Sequence, residues 1–171
     1  MSLAPKTPDV SKTVVTDLVL PSETNYLNKL FGGELLARMD RAASISASRH
    51  AGNVVVTASV NHVAFNKSIP LGSIVTVEAQ VSRAFTTSME VVINVWMENK
   101  LTGDKQKAND AIYTFVAVDE HGQPTPVPPL QPITEEEQKY YEAALRRKQL
   151  SLVLAGKMKP QEATELKAIF D

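Results

Sequence analysis

Cysteine is absent from the 171-residue chain. That excludes a disulfide framework, a thiol nucleophile and any cysteine-ligated metal. Charge of one sign is also missing, since 18 Lys and Arg face 19 Asp and Glu for a net charge of -1. Such a balance gives no general attraction to nucleic acid or to an anionic membrane. No run of 18 apolar residues occurs, and residues 1–12 lack the apolar core of a signal peptide, so no membrane span and no secretion signal are expected. The expected location is the cytoplasm. His50, His62 and His121 are scattered without HxxxH or HExxH spacing, so no metal site is expected. GxSxG, GxGxxG and GxxxxGK are all missing, which removes the serine-hydrolase elbow and the nucleotide-binding loops.

What remains is a chain 43% apolar, enough for one sizeable core plus an appendage. Residues 1–12 read as a flexible arm and residues 13–20 as a first strand at a sheet edge. Residues 29–52 carry the long helical pattern that the rest of the chain surrounds. From residue 54 the period changes to two, and four β-rich runs (54–65, 73–85, 89–100 and 105–119) read as long antiparallel neighbours. Long strands with one long helix of small residues imply an α+β fold in which the sheet curls round the helix. Residues 13–120 form this domain. Residues 121–133, with five prolines between Gly122 and Pro132, form an extended connector. Residues 134–171 form a helical extension, with Thr134 as cap of its first helix.

On the central helix, Leu35, Leu36, Met39, Ala42, Ala43 and Ser46 make an apolar arc, with Glu34, Arg38 and Arg41 on the opposite side. His50 reads as a helix-end cation and Gly52 as the stop. Asp40 falls at the margin of the apolar arc, where a carboxylate is poorly solvated. It is either a boundary residue reaching water or a functional acid. Gly32 and Gly33 open the helix, where free amides carry partial positive charge and glycine permits close approach of a carbonyl. Asn25 precedes them. Gly33 and Asp40 are seven residues apart, on the order of 10 Å along one helix, so a single small carbonyl could meet both only if two copies of the chain shared the site.

The run TNYLNKLFGGELLARMDRAASISASRHAG, followed by VVTASV, RAFTTSMEV and YTFVAVDEHGQPTPVP, resembles the hotdog-fold acyl-coenzyme A thioesterases of the bacterial short-to-medium-chain and brain cytosolic type. The resemblance implies a hotdog fold, a double-hotdog homodimer and a trimer of such dimers, acting on acyl-CoA to release fatty acid and CoA without a cofactor. By the same resemblance Asn25 and Asp40 are the catalytic pair, drawn from opposite subunits, Asp40 serving as general base or nucleophile. Gly32 and Gly33 would face the thioester carbonyl, and Arg83, Thr87 and Ser88 would lie near coenzyme A. Asn28 stands where relatives often have Gly, and Asn61, Ala64, Lys67 and Ser68 also depart from the common pattern. Met39, Phe65 and Met89 are candidate limits on acyl-tunnel depth. A hotdog dehydratase would need a histidine in the helix interior or its approach, and none is there. A non-catalytic acyl-CoA sensor is the other alternative.

Overall fold

The period-two alternation beyond residue 54 does produce four long strands. The computed structural model describes residues 3–170. Its regular elements are β1 (Thr13–Leu18), α1 (Gly32–Ala51), β2 (Val54–Ala64), β3 (Ile74–Ala84), β4 (Ser88–Glu98), β5 (Lys105–Val118), α2 (Glu135–Leu154) and α3 (Thr164–Lys167). The strands form one antiparallel sheet in the order β1-β3-β4-β5-β2. β1 and β2 are therefore its two edges. β1 stops two residues earlier than the apolar run suggested, ahead of the turn begun by Pro21.

The sheet curls over α1. Along β5, Ala111, Tyr113, Phe115 and Ala117 are buried, and the Tyr113 hydroxyl reaches the α1 carbonyl of Leu36 at 3.3 Å, which identifies this as the inner face. Val75, Val77, Val91, Ile93 and Val95 join the same core. On the helix, Met39, Ala42, Ala43, Ser46 and Ala47 are fully enclosed. Side chains this small let helix and sheet approach closely, so the apolar arc read from the sequence is the packed face.

Three sequence expectations are corrected along α1 and the arm. Arg38 does not line a solvent-facing side: it is 6% exposed, and its Nη2 donates to the Leu18 carbonyl and to Glu23 Oε1 and Oε2, each at 2.8 Å. A long side chain reaching past the helix edge made that possible. His50 is not a helix-end cation either. It is fully buried, its Nε2 lies 2.8 Å from the Pro128 carbonyl, and burial holds its pKa below the ordinary imidazole value. Lys6 supplies the positive end instead, donating to the carbonyls of His50 at 2.7 Å and Arg49 at 3.3 Å, where the helix dipole favours a cation. Gly52, with φ of 66°, ends the helix as expected.

The arm is packed rather than loose over residues 6–12. The Lys6 amide donates to the Pro129 carbonyl and the Gln131 amide to the Lys6 carbonyl, both at 2.9 Å. Buried Ser11 accepts the Val81 amide at 2.9 Å. The proline-rich connector is thus clamped by backbone pairing, and Thr134 then caps α2 by accepting the Glu137 amide at 3.2 Å. α2 lies on the outer face of the sheet. There Arg147 donates to both carboxylate oxygens of Glu90, at 2.7 and 2.9 Å, and Ser82 donates to Glu90 Oε1 at 2.6 Å. Glu90 is 3% exposed. No helix among the described residues is long and apolar enough to cross a membrane.

Burial of a neutral His50 makes stability depend on pH. Its folded pKa lies below 6.5, so the unfolded chain takes up a proton first as pH falls. Stability is then complete above the unfolded value and is lost through the interval beneath it. Melting temperatures measured between pH 8 and pH 5, on the order of the imidazole range, should decline for the parent on the acid side and decline less for His50→Gln.

Candidate active site

Asp40 faces away from the fully buried arc and toward the inner side of edge strand β2. Thr57 on that strand pairs with Phe115 of β5, so its side chain shares the inward row, and its hydroxyl donates to Asp40 Oδ1 at 2.8 Å. One carboxylate oxygen is occupied by this bond. The other stays available at the mouth of an open cleft of about 430 Å³, lined by Leu36, Ala37, Asp40, Val60, Val63, Phe65 and Tyr113. Apart from Asp40 and the Tyr113 hydroxyl, that lining is apolar.

Tyr113 is fixed as a donor in this setting. Burial, with a smaller push from the nearby Asp40 charge, raises its phenol to about 12, so it stays protonated at neutral pH. Neither Thr57 nor Tyr113 was singled out as a site residue in the sequence, because strand pairing is what brings them to the helix. The one available signal was the position of Thr57 in the first strand after the helix.

Asn25 sits elsewhere. It opens a tight turn in which its Oδ1 accepts the amides of Leu27 at 2.9 Å and Lys29 at 3.2 Å, and its own amide donates to the Lys29 carbonyl at 2.9 Å. Asn28 takes φ of 53° there, a left-handed conformation that asparagine tolerates better than most residues, so the bend that a glycine would favour is kept. Gly32 and Gly33 are the first two residues of α1, and no side chain caps that end. A Cβ on Gly33 would come within 3.3 Å of the Phe31 ring, and one on Gly32 within 3.8 Å of Phe65. The space at Gly33 is thus taken by an aromatic neighbour. Within one chain Asn25 bonds to its own turn and Asp40 to Thr57, and no hydrogen bond joins the two.

Arg83, Thr87 and Ser88 are brought together on the other side of the sheet. Arg83 donates to the Tyr141 carbonyl of α2 at 2.9 Å, and its guanidinium stands 4.1 Å from the Tyr141 ring centroid and 5.5 Å from that of Phe85. Thr87 accepts the Ala117 amide through its carbonyl at 2.9 Å. No hydrogen bond joins this group to Asp40 within the single chain. Of the three tunnel candidates, Phe65 lines the cleft, whereas Met39 and Met89 are wholly buried in the core. A second cleft of about 410 Å³, between the N-terminal turn and the start of α2, includes Glu78, Gln80, Asn94 and Tyr140 and none of the expected site residues. The described residues hold no group of three or more His, Asp or Glu placed to bind a metal.

Comparison with known proteins agrees with this architecture. Residues 27–103 match the family described as the Thioesterase superfamily. An uncharacterized acyl-CoA thioester hydrolase of Bacillus subtilis is 44% identical over 137 residues, covering 80% of each chain. The crystal structure of an apo-hexameric acyl-CoA thioesterase superimposes with a TM-score of 0.87 at 41% identity, over 90% of this chain and 98% of that one. An acyl-CoA hydrolase from Staphylococcus aureus, solved in complex with butyryl coenzyme A, coenzyme A and coenzyme A disulfide, gives 0.81 at 36% identity over 95% and 98%. Further structures of that hydrolase carry an aspartate, an asparagine or a threonine replaced by alanine. With its sheet wrapped on one helix and these likenesses spanning most of its length, the chain belongs to the hotdog thioesterase superfamily, among the acyl-CoA thioester hydrolases.

Proposed function

We propose that the protein hydrolyses acyl-CoA thioesters to a carboxylic acid and coenzyme A, with Asp40 activating water as general base. The observation that carries this reading is the Asp40 carboxylate, held through one oxygen by Thr57 at the edge of an apolar cleft. An acyl chain enters hydrocarbon surroundings while its carbonyl stops beside a base. A thioester has weak resonance stabilisation, so attack by activated water needs no metal. The amides of Gly32 and Gly33 receive the developing oxyanion, a contribution of about 3 kcal/mol per donor in other enzymes. Asn25 orients the water or the carbonyl.

Supporting the assignment of residues, the asparagine changed in the Staphylococcus aureus hydrolase precedes its aspartate by 15 positions, and the threonine follows by 17. Those are the intervals from Asn25 to Asp40 and from Asp40 to Thr57 here. In this reading Asn25 and the helix-start amides come from one protomer and Asp40 and Thr57 from its partner. Two surfaces support that sharing. β2 leaves an unpaired edge with Val54, Val56 and Val60 exposed, and the turn after Asn25 exposes Tyr26, Leu27 and Phe31. A two-fold dimer covers an apolar turn and an apolar cleft twice with one contact. Three such dimers make the hexamer. Arg83, Thr87 and Ser88 lie near the coenzyme A moiety in this assembly.

Release of free thiol, followed across acyl chain lengths, tests the activity directly, and binding without release would leave only an acyl-CoA sensor. Asp40→Asn should retain its melting temperature and lose about a hundredfold or more of kcat, the range of a positioned general base. Thr57→Val should lower kcat by about tenfold, the cost of one hydrogen bond to a charged group. A single turnover in water labelled with heavy oxygen should place the label in the acid; its absence from the acid would make Asp40 the nucleophile. Phe65→Ala should shift the preference toward longer acyl chains.

A further inference from the structure

Arg38 lies two residues before Asp40 and points the other way, away from the cleft. Its side chain is 5% exposed, and Nη2 alone makes three hydrogen bonds: one to the Leu18 carbonyl at the end of β1 and two to Glu23. Glu23 is in turn the hub of the segment that leads to Asn25. Its carboxylate accepts the Leu20 amide at 2.8 Å, and its carbonyl accepts the Phe31 amide at 2.8 Å. Phe31 is the residue immediately before Gly32. The contact with Arg38 holds the Glu23 carboxyl below the usual carboxylate range, so the pair is charged at neutral pH. The far side of the Asn25 turn is paired with residues 69–71, through the Leu30 amide on the Ile69 carbonyl at 2.8 Å and the Leu71 amide on the Asn28 carbonyl at 2.9 Å, while its link to α1 runs through Glu23, which Arg38 holds to the helix.

We propose that Arg38 and Glu23 are positioning residues for the reaction, setting Asn25 and the Gly32 and Gly33 amides at one distance from the partner's carboxylate. They touch no substrate. Their effect is one-sided, because the turn they hold serves the site to which the neighbouring protomer contributes its Asp40; this rests on the shared site proposed above. Loss of the clamp leaves Asp40, Thr57 and the cleft of the same chain intact. Arg38→Met removes the three bonds, and Glu23→Gln keeps an acceptor for Leu20 while removing the charge, so it disturbs folding less. Misplacement by about 1 Å at such a site costs up to about a hundredfold in rate. Arg38→Met should lower kcat by about tenfold or more, and Glu23→Gln by less, with KM changed little.

The deciding experiment uses doubly tagged mixed oligomers made by co-expression. Arg38→Met paired with Asp40→Asn should recover activity, because one site then combines an intact Asp40 from the first chain with an intact turn from the second. Arg38→Met paired with Asn25→Ala should not recover, since no site then has both parts whole. Glu23→Gln should sort in the same way. Recovery with both partners, as expected if Arg38 only stabilises its own chain, would overturn the proposal, and so would recovery with neither while Asn25→Ala and Asp40→Asn complement each other. Failure of that last pair to complement would overturn the shared site itself, and the clamp proposal with it.

Discussion

The structure depends on the enclosure of α1 by a single curled sheet. Ala42, Ala43, Ser46 and Ala47 bring helix and sheet into contact along a narrow strip, and the valines, Ile93 and Phe115 of the inner face close over it. A core formed in this way has no room for an ionised group at its centre. Polar chemistry is confined to the margins of the strip, and the helix uses both of them. Toward β2 it presents Asp40, and toward β1 it presents Arg38. Each charge meets a partner from the sheet or its approach, Thr57 in one case and Glu23 in the other.

The fold was legible because its signals are local and repeated. The change from a 3.6-residue to a two-residue period at Val54, the glycine stop at Gly52 and the proline connector each follow from neighbours in sequence, and the element bounds agree within one to three residues. The displaced carboxylate at position 40 was legible for the same reason, as a breach of helical pattern. What the sequence hid was pairing at long range. Arg38 read as a surface residue because its helical angle is polar, and only the return of residues 18–23 past the helix provides the partners that let it be buried. His50 read as a cation by its position in the last turn, but the connector, 78 residues away, covers it, and Lys6 takes over its electrostatic role. Thr57 was a hydroxyl among many until strand register set it opposite Asp40.

The two margins of α1 have different relations to function. The Asp40 margin faces a cleft that one chain leaves open, with apolar walls that a second molecule can roof. The Arg38 margin is internally complete on its Nη2 side and acts by holding the approach to the helix. In the proposed assembly one helix carries a reacting group for one site and the anchor of a different site's turn, so a rotation of α1 about its axis would disturb both. The alanine strip resists such rotation, since each methyl is in contact along the sheet.

The extension bears on the sheet in a way that its place at the end of the chain conceals. Glu90 is almost entirely covered, and its carboxylate is satisfied by Ser82 together with Arg147. Were α2 peeled away, the carboxylate of Glu90, near the start of β4, would lose its counter-ion. The stretch that runs from the first strand to the last therefore relies on the extension for one of its buried contacts. Its outer surface receives a cation delivered from 57 residues downstream, so the extension completes the charge pairing of the sheet it covers.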